Sequence, residues 1–214
     1  RIEVEVDPEA RAALEQACLL EQRSELEPAI EVLGEAIEDL PRCGALYEAR
    51  GALYQASGFP RAAAGDFLRA TGLTPERAES WLALGQAYEA LDLARQALEA
   101  LERAERLGEK GLGLQLSKAR VLRALGRPEE ALPYLQRAVA AQPGLADAHL
   151  NLGLVLHELR RYDEAVASLA RVMELAPRTP YALSSLVWSE LFTCDWRELT
   201  AHVAALRDQV RAGQ

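Results

Sequence analysis

Very little in this chain of 214 residues is equipped for covalent or metal chemistry. Its three cysteines, Cys18, Cys43 and Cys194, are too few and too scattered for a disulfide framework or a zinc site; reduced thiols in a cytoplasm account for them. The histidines His149, His157 and His202 include no pair four residues apart, the spacing that sets two metal ligands side by side on a helix. No glycine-rich phosphate loop follows a strand, and the only strand-like alternation is the short Ile2-Val4-Val6, read as an arm. No histidine stands near Cys18 in the repeat frame, so a cysteine nucleophile has no base. The chain is therefore expected to have no catalytic residues, no metal and no cofactor.

Other absences narrow the partner. A net charge of −9 argues against nucleic acid, whose phosphates need a basic surface to release counterions. No apolar run approaches bilayer length, so membrane insertion is not expected, and no charged-then-apolar leader opens the chain. Lysine occurs only at Lys110 and Lys118 among many arginines, a bias read as that of a GC-rich bacterial genome. A cytoplasmic location is the expectation. The chain opens at Arg1 without a methionine, so a periplasmic one stays open.

What is present is a period. Ala29, Ala63, Ala97, Ala131 and Ala165 follow one another at a constant interval of 34 residues. Each is preceded at a fixed distance by a small residue (Ala17, Gly51, Gly85, Ala119, Gly153) and followed by a large apolar one (Leu33, Phe67, Leu101, Leu135, Leu169). Further on come Pro41, Pro75, Glu109, Pro143 and Pro177. In the third copy Trp81, Leu84, Gly85 and Tyr88 share one face of a first helix, and Ala94, Ala97, Leu98, Leu101 and Ala104 form the stripe of a second. Glycine at 85 and alanine at 97 let the two backbones approach closely.

The turns carry matching signals. Gly58 and Gly126 suit the left-handed end of a first helix, and Pro60 and Pro128 the first turn of the next. Pro133 falls inside a second helix and is expected to bend it or delay its start. Gly108-Glu109-Lys110-Gly111 reads either as a flexible point or as an ordinary loop.

These residues resemble the tetratricopeptide repeat (TPR) family: Trp81, Leu84, Gly85, Tyr88, Ala97, Leu101 and Ala104 fall where its pattern wants them. The resemblance implies an all-α fold, a right-handed superhelix (α-solenoid) of antiparallel helix pairs with first helices lining a concave groove. The expected organisation is an N-terminal arm over 1–9 and five repeats over 10–178, approximately 10–43, 44–77, 78–111, 112–145 and 146–179. A degenerate sixth pair or cap follows over 180–214.

The face of each first helix opposite its buried stripe is the part open to a ligand. That face offers Leu82, Gln86 and Glu89 in the third copy, Leu116, Arg120 and Arg123 in the fourth, and Leu150, Leu154 and His157 in the fifth. Leu82, Leu116 and Leu150 form an expected apolar line, suited to a protein or peptide segment. The same leucines could instead cover neighbouring helix stems. Arg120 and Arg123 could hold a ligand carboxylate or pair with Glu89. His149 takes the place of Trp81 in its copy and reads as a packed imidazole.

Two ligand schemes of the family, a lysine-asparagine carboxylate clamp and an asparagine ladder along a peptide backbone, need more asparagine than the single Asn151. Side-chain contacts must then dominate.

The resulting expectation is a non-catalytic protein-binding scaffold of unknown oligomeric state. One segment suggests more. Leu191-Phe192-Thr193-Cys194-Asp195-Trp196, with Arg197-Glu198-Leu199, is similar to the junction between repeats and catalytic region in bacterial, SPINDLY-like relatives of O-GlcNAc transferase. A capping helix sealed by Trp196 would explain the same residues.

Overall fold

The structure, a computed structural model, describes residues 7–179, 181–193 and 198–211. The alternation Ile2-Val4-Val6, Pro180 and the Cys194-Asp195-Trp196 segment lie outside the described residues. Among the described residues there are twelve α-helices and no strand. Two compact units divide them, Arg1–Lys110 and Gly111–Gln214. The first holds α1 (Pro8–Gln22), α2 (Leu26–Asp39), α3 (Gly44–Ala56), α4 (Pro60–Leu73), α5 (Ala78–Ala90) and α6 (Ala94–Arg106). The second holds α7 (Leu112–Ala124), α8 (Pro128–Ala141), α9 (Ala146–Glu158), α10 (Tyr162–Leu175), α11 (Ala182–Thr193) and α12 (Leu199–Arg211).

α1 starts earlier than the expected arm allows. Pro8 takes its first helical position, and Asp7 caps it by accepting the Glu9 amide at 2.9 Å, so residues 8 and 9 are helical.

Each odd-numbered helix packs on the even-numbered one that follows it, and the periodic residues make the contact. The five alanines are fully buried, and the large residues four positions later are at most 3% exposed. The small residues of the first helices face those large side chains. A Cβ built on Gly85 would lie 2.7 Å from Leu101 Cγ, and one on Gly153 would lie 2.6 Å from Leu169 Cγ. On Gly51 it would meet the Phe67 ring at 2.8 Å. Glycine is needed there because the partner helix fills the space, as the expected close approach at Gly85 and Ala97 requires.

One turn geometry recurs between the first and second helix of each of the five pairs from α1 to α10. The residue at its centre has positive φ in all of them: Ser24 (64°), Gly58 (77°), Asp92 (57°), Gly126 (70°) and Arg160 (60°). The next amide reaches five residues back, as in Phe59 N to Tyr54 O at 2.8 Å and Arg161 N to Leu156 O at 2.9 Å. That bond closes a Schellman motif. Second helices end in another way. Pro41, Pro75, Pro143 and Pro177 stop α2, α4, α8 and α10. α6 lacks the proline and closes on Gly108, at φ 102°, with the same five-residue bond, Glu109 N to Ala104 O at 3.1 Å.

Two expectations change. Pro133 does not delay α8, which begins at Pro128 and runs through it. The interior is also less uniformly apolar than the periodic stripe suggests. Arg50 on α3 donates twice to Asp66 on α4, at 2.7 and 2.8 Å, between the rings of Tyr47 and Tyr54. In the fourth copy the same two places hold Lys118 and Tyr134, with Nζ 2.7 Å from the hydroxyl. The third copy has Leu84 and Ala100 there, both buried. The pair changes as a unit.

Two stability predictions follow from this geometry. Arg160→Gly should raise unfolding free energy by about 0.5–1 kcal/mol in denaturant melts, because an arginine held at positive φ is strained where glycine is not. Asp66→Ala should cost about 3 kcal/mol by stranding the Arg50 guanidinium. Adding Arg50→Leu, which recreates the third copy's pair, should recover most of that loss; a further loss would contradict it.

Candidate functional site

In the first unit, α3 and α5 lie side by side and their outer faces frame a pocket of about 510 Å³. It is lined by the small side chains of Ala52, Ala56 and Ala83, by the Phe67 ring and by the polar Glu48, Gln55, Glu79, Ser80 and Gln86. Glu48 is already engaged. It accepts from the Ser80 hydroxyl and pairs with Arg77 at 3.2 Å. Leu82, Gln86 and Glu89 all stand on α5, each half-buried.

In the second unit, α7, α9 and α11 are successive neighbours. Arg120 and Arg123 project from α7 to acids on α9, at 3.4 Å to Asp147 and 3.1 Å to Glu158. Leu150 and Leu154 are half-buried, so they present part of their surface. Leu116 does not. It is only 9% exposed, which removes it from the expected open apolar line and makes it a core residue. His149 behaves as its place implies: its Nε2 lies 3.0 Å from the Pro143 carbonyl, just as Trp81 Nε1 donates to Pro75 at 2.9 Å and Tyr47 to Pro41 at 3.3 Å. It is a packed side chain.

His157 is more telling. Ser189 Oγ donates to the Ser185 carbonyl, so toward His157 Nδ1, 2.9 Å away, it is the acceptor and the ring carries its proton on Nδ1. The imidazole meets Tyr162 and Phe192 edge-on, with centroids at 5.3 and 5.8 Å. Tyr162 and Phe192 stack at 4.7 Å, and Trp188 meets Phe192 at 5.7 Å. Burial lowers the His157 pKa below the ordinary imidazole value, against a smaller opposing pull from Glu158.

Of Trp188, Leu191 and Phe192, the first is not singled out by the sequence, and the other two are assigned there to a junction or cap segment rather than to an open helix face. They are spaced as one face of α11, and 55%, 42% and 49% of their surfaces are exposed. The signal was available: Trp188 is one period beyond Leu154, and Phe192 one beyond Glu158. The segment after residue 190 departs from the repeat pattern in composition, while the 34-residue register runs on into it.

Among the described residues no group of three His, Cys, Asp or Glu side chains could hold a metal ion, and no helix is long and apolar enough to cross a membrane.

Comparisons with known proteins agree with this fold. The family model of the tetratricopeptide repeat matches residues 48–111 and 116–180. No curated protein sequence matches the chain. Among solved structures, YrrB, a TPR protein described as having an unusual peptide-binding site, is 24% identical at a TM-score of 0.70, covering 82% of this chain and 91% of its own. PilF of Pseudomonas aeruginosa is 16% identical at a TM-score of 0.77, covering 93% and 90%. MamA of Desulfovibrio magneticus is 20% identical at 0.71, covering 79% and 96%.

A pH dependence follows from His157. Its folded pKa is depressed, so the unfolded chain takes up the proton first and stability falls as pH drops through about 6.5. Between neutral pH and about pH 5.5 the thermal midpoint of His157→Gln should fall less than that of the wild type; equal falls would remove the histidine as the cause.

With its repeat frame, its interlocked helix pairs and a family model that matches more than half of its length, this chain belongs to the tetratricopeptide repeat family.

Proposed function

We propose that the protein is a non-catalytic scaffold that captures a segment of a partner protein on the first-helix face of its second unit. The observation carrying this reading is the exposed Trp188, Leu191 and Phe192 face of α11, set beside the half-exposed leucines of α9. Leaving about half of each of three large apolar side chains in water forgoes roughly half of the 1.5–3 kcal/mol that full burial of each would contribute. Clustered exposure of this kind marks interaction surfaces. Tryptophan and arginine are the residue types that dominate binding hot spots, and Trp188 stands on the same unit as Arg120 and Arg123.

The groove residues Leu150, Leu154 and His157 belong to this surface, and Leu82, Gln86 and Glu89 to the corresponding face of the first unit. Recognition here runs through side chains, because Asn151 turns inward and donates to its own helix at the Asp147 carbonyl, 2.8 Å away. The reported peptide site of YrrB supports a peptide as the kind of ligand.

A second reading, the substrate-recruiting region of an O-GlcNAc-transferase-like glycosyltransferase, rests on the sequence of residues 191–199 alone. Its check is the reading frame beyond Gln214.

The binding proposal is tested by affinity capture from source-cell lysate with mass spectrometry. Trp188→Glu combined with Leu150→Glu should remove the captured partner, weakening it at least about tenfold, or ~1.4 kcal/mol, while helicity by circular dichroism is unchanged. Identical capture by the folded double variant would refute the assignment.

A further inference from the structure

A second surface, sharing no lining residue with the α3–α5 pocket, lies at the turn edge of the first unit. A pocket of about 510 Å³ opens there, lined almost wholly by apolar groups: Tyr54, Phe59, Pro60, Ala62 and Leu91, with Arg61 at its border. Phe59 is 59% exposed although it sits in a turn where a polar residue would serve. One period on, Leu93 is also exposed.

The equivalent turns of the second unit show what the fold itself requires. Arg127 and Arg161 occupy the place of Phe59 and Leu93, and each closes on an acid of its own helix, Glu130 at 2.6 and 2.8 Å and Glu164 at 2.7 and 2.8 Å. Those helices also begin with acids, as a helix N-terminus prefers. In the first unit α2 keeps an acid, Glu27, in its first turn, but in α4 and α6 the pattern is inverted. α4 and α6 have no acid in their first turns and carry Arg61 and Arg95 there. Among the described residues neither guanidinium has an ion-pair partner. A positive helix end, an unpaired cation and an apolar pocket thus meet at the start of α4, and α6, one period on, repeats the helix end and the cation.

We propose that this edge is a docking site for an acidic partner segment, one that inserts a bulky apolar side chain beside Phe59 and sets flanking carboxylates on Arg61 and Arg95. Charge complementarity selects that chemistry. The net charge of −9 sets two copies of this chain against each other and would repel the same acidic segment elsewhere, so the arginine edge is where it can settle.

The test is to pan a random-peptide display library on the wild-type protein and on Phe59→Ser/Arg61→Glu. Peptides enriched on the wild type alone should carry Asp or Glu beside Leu, Phe or Trp. For one such peptide, Arg61→Glu/Arg95→Glu should weaken binding at least about tenfold in fluorescence anisotropy. The thermal midpoint should hold or rise, because glutamate suits a helix N-terminus and the loss is then not unfolding. Trp188→Glu should leave this affinity unchanged. The proposal is overturned if the enriched peptides are neutral or basic, or if they bind the Phe59→Ser/Arg61→Glu protein equally. It also fails if no peptide is enriched, if Trp188→Glu abolishes binding, or if sedimentation reveals a dimer that Phe59→Ser dissociates, which would make a second copy the occupant.

Discussion

The five helix pairs from α1 to α10 depend on an asymmetry of bulk across each pair. One helix offers a glycine or alanine, and the other drives a leucine or phenylalanine into the space. With Gly85 and Gly153, the room for even one methyl is already occupied by Leu101 and Leu169. Ala17 and Ala119 are buried at the corresponding places in the first and fourth copies. Because this interlock is local to a pair, its few small positions can repeat while the rest of the copy varies. That is the physical licence for a repeat protein to diversify its surface.

The interior shows how far that freedom extends. Arg50 with Asp66, Lys118 with Tyr134 and Leu84 with Ala100 occupy equivalent places, and each pair is self-consistent. A charged residue is tolerated there because its partner on the next helix supplies the missing hydrogen bonds. The same logic governs the turn centres. Ser24, Asp92 and Arg160 accept a left-handed conformation that glycine takes freely at Gly58 and Gly126, because the five-residue hydrogen bond and the packed helices behind it outweigh the local strain.

The two units use this common frame for different surfaces. The first puts arginines and Phe59 on its turn edge, and carboxylates and amides around the pocket between α3 and α5. The second neutralises the turns before α8 and α10 within those helices and exposes Trp188 and Phe192 on α11. Neither arrangement is needed for the helix pairs to interlock. A family built on hairpins acquires binding specificity in this way, by changing side chains that the core does not use.

Much of this was legible in the residues. The period located the helix pairs, the small and large positions named the packed face, and proline marked the ends of four second helices, because each of these is a local requirement of backbone geometry. The groove was harder to see. Leu116 on α7 and Leu150 on α9 hold the same place in their repeats, yet Leu116 is core while Leu150 and its neighbour Leu154 are half-open. Trp188 and Phe192 lay in plain register but in a copy whose diagnostic alanine had become Leu199. Periodicity reports which side of a helix a residue is on; it carries no information about what lies opposite that side. The amino-acid sequence by itself determined the hairpins and their turns, through spacing and backbone preference. Only the tertiary structure decided which outward residues stay wet, which cations find an acid and which remain unpaired, because those outcomes depend on neighbours brought together across helices rather than along the chain.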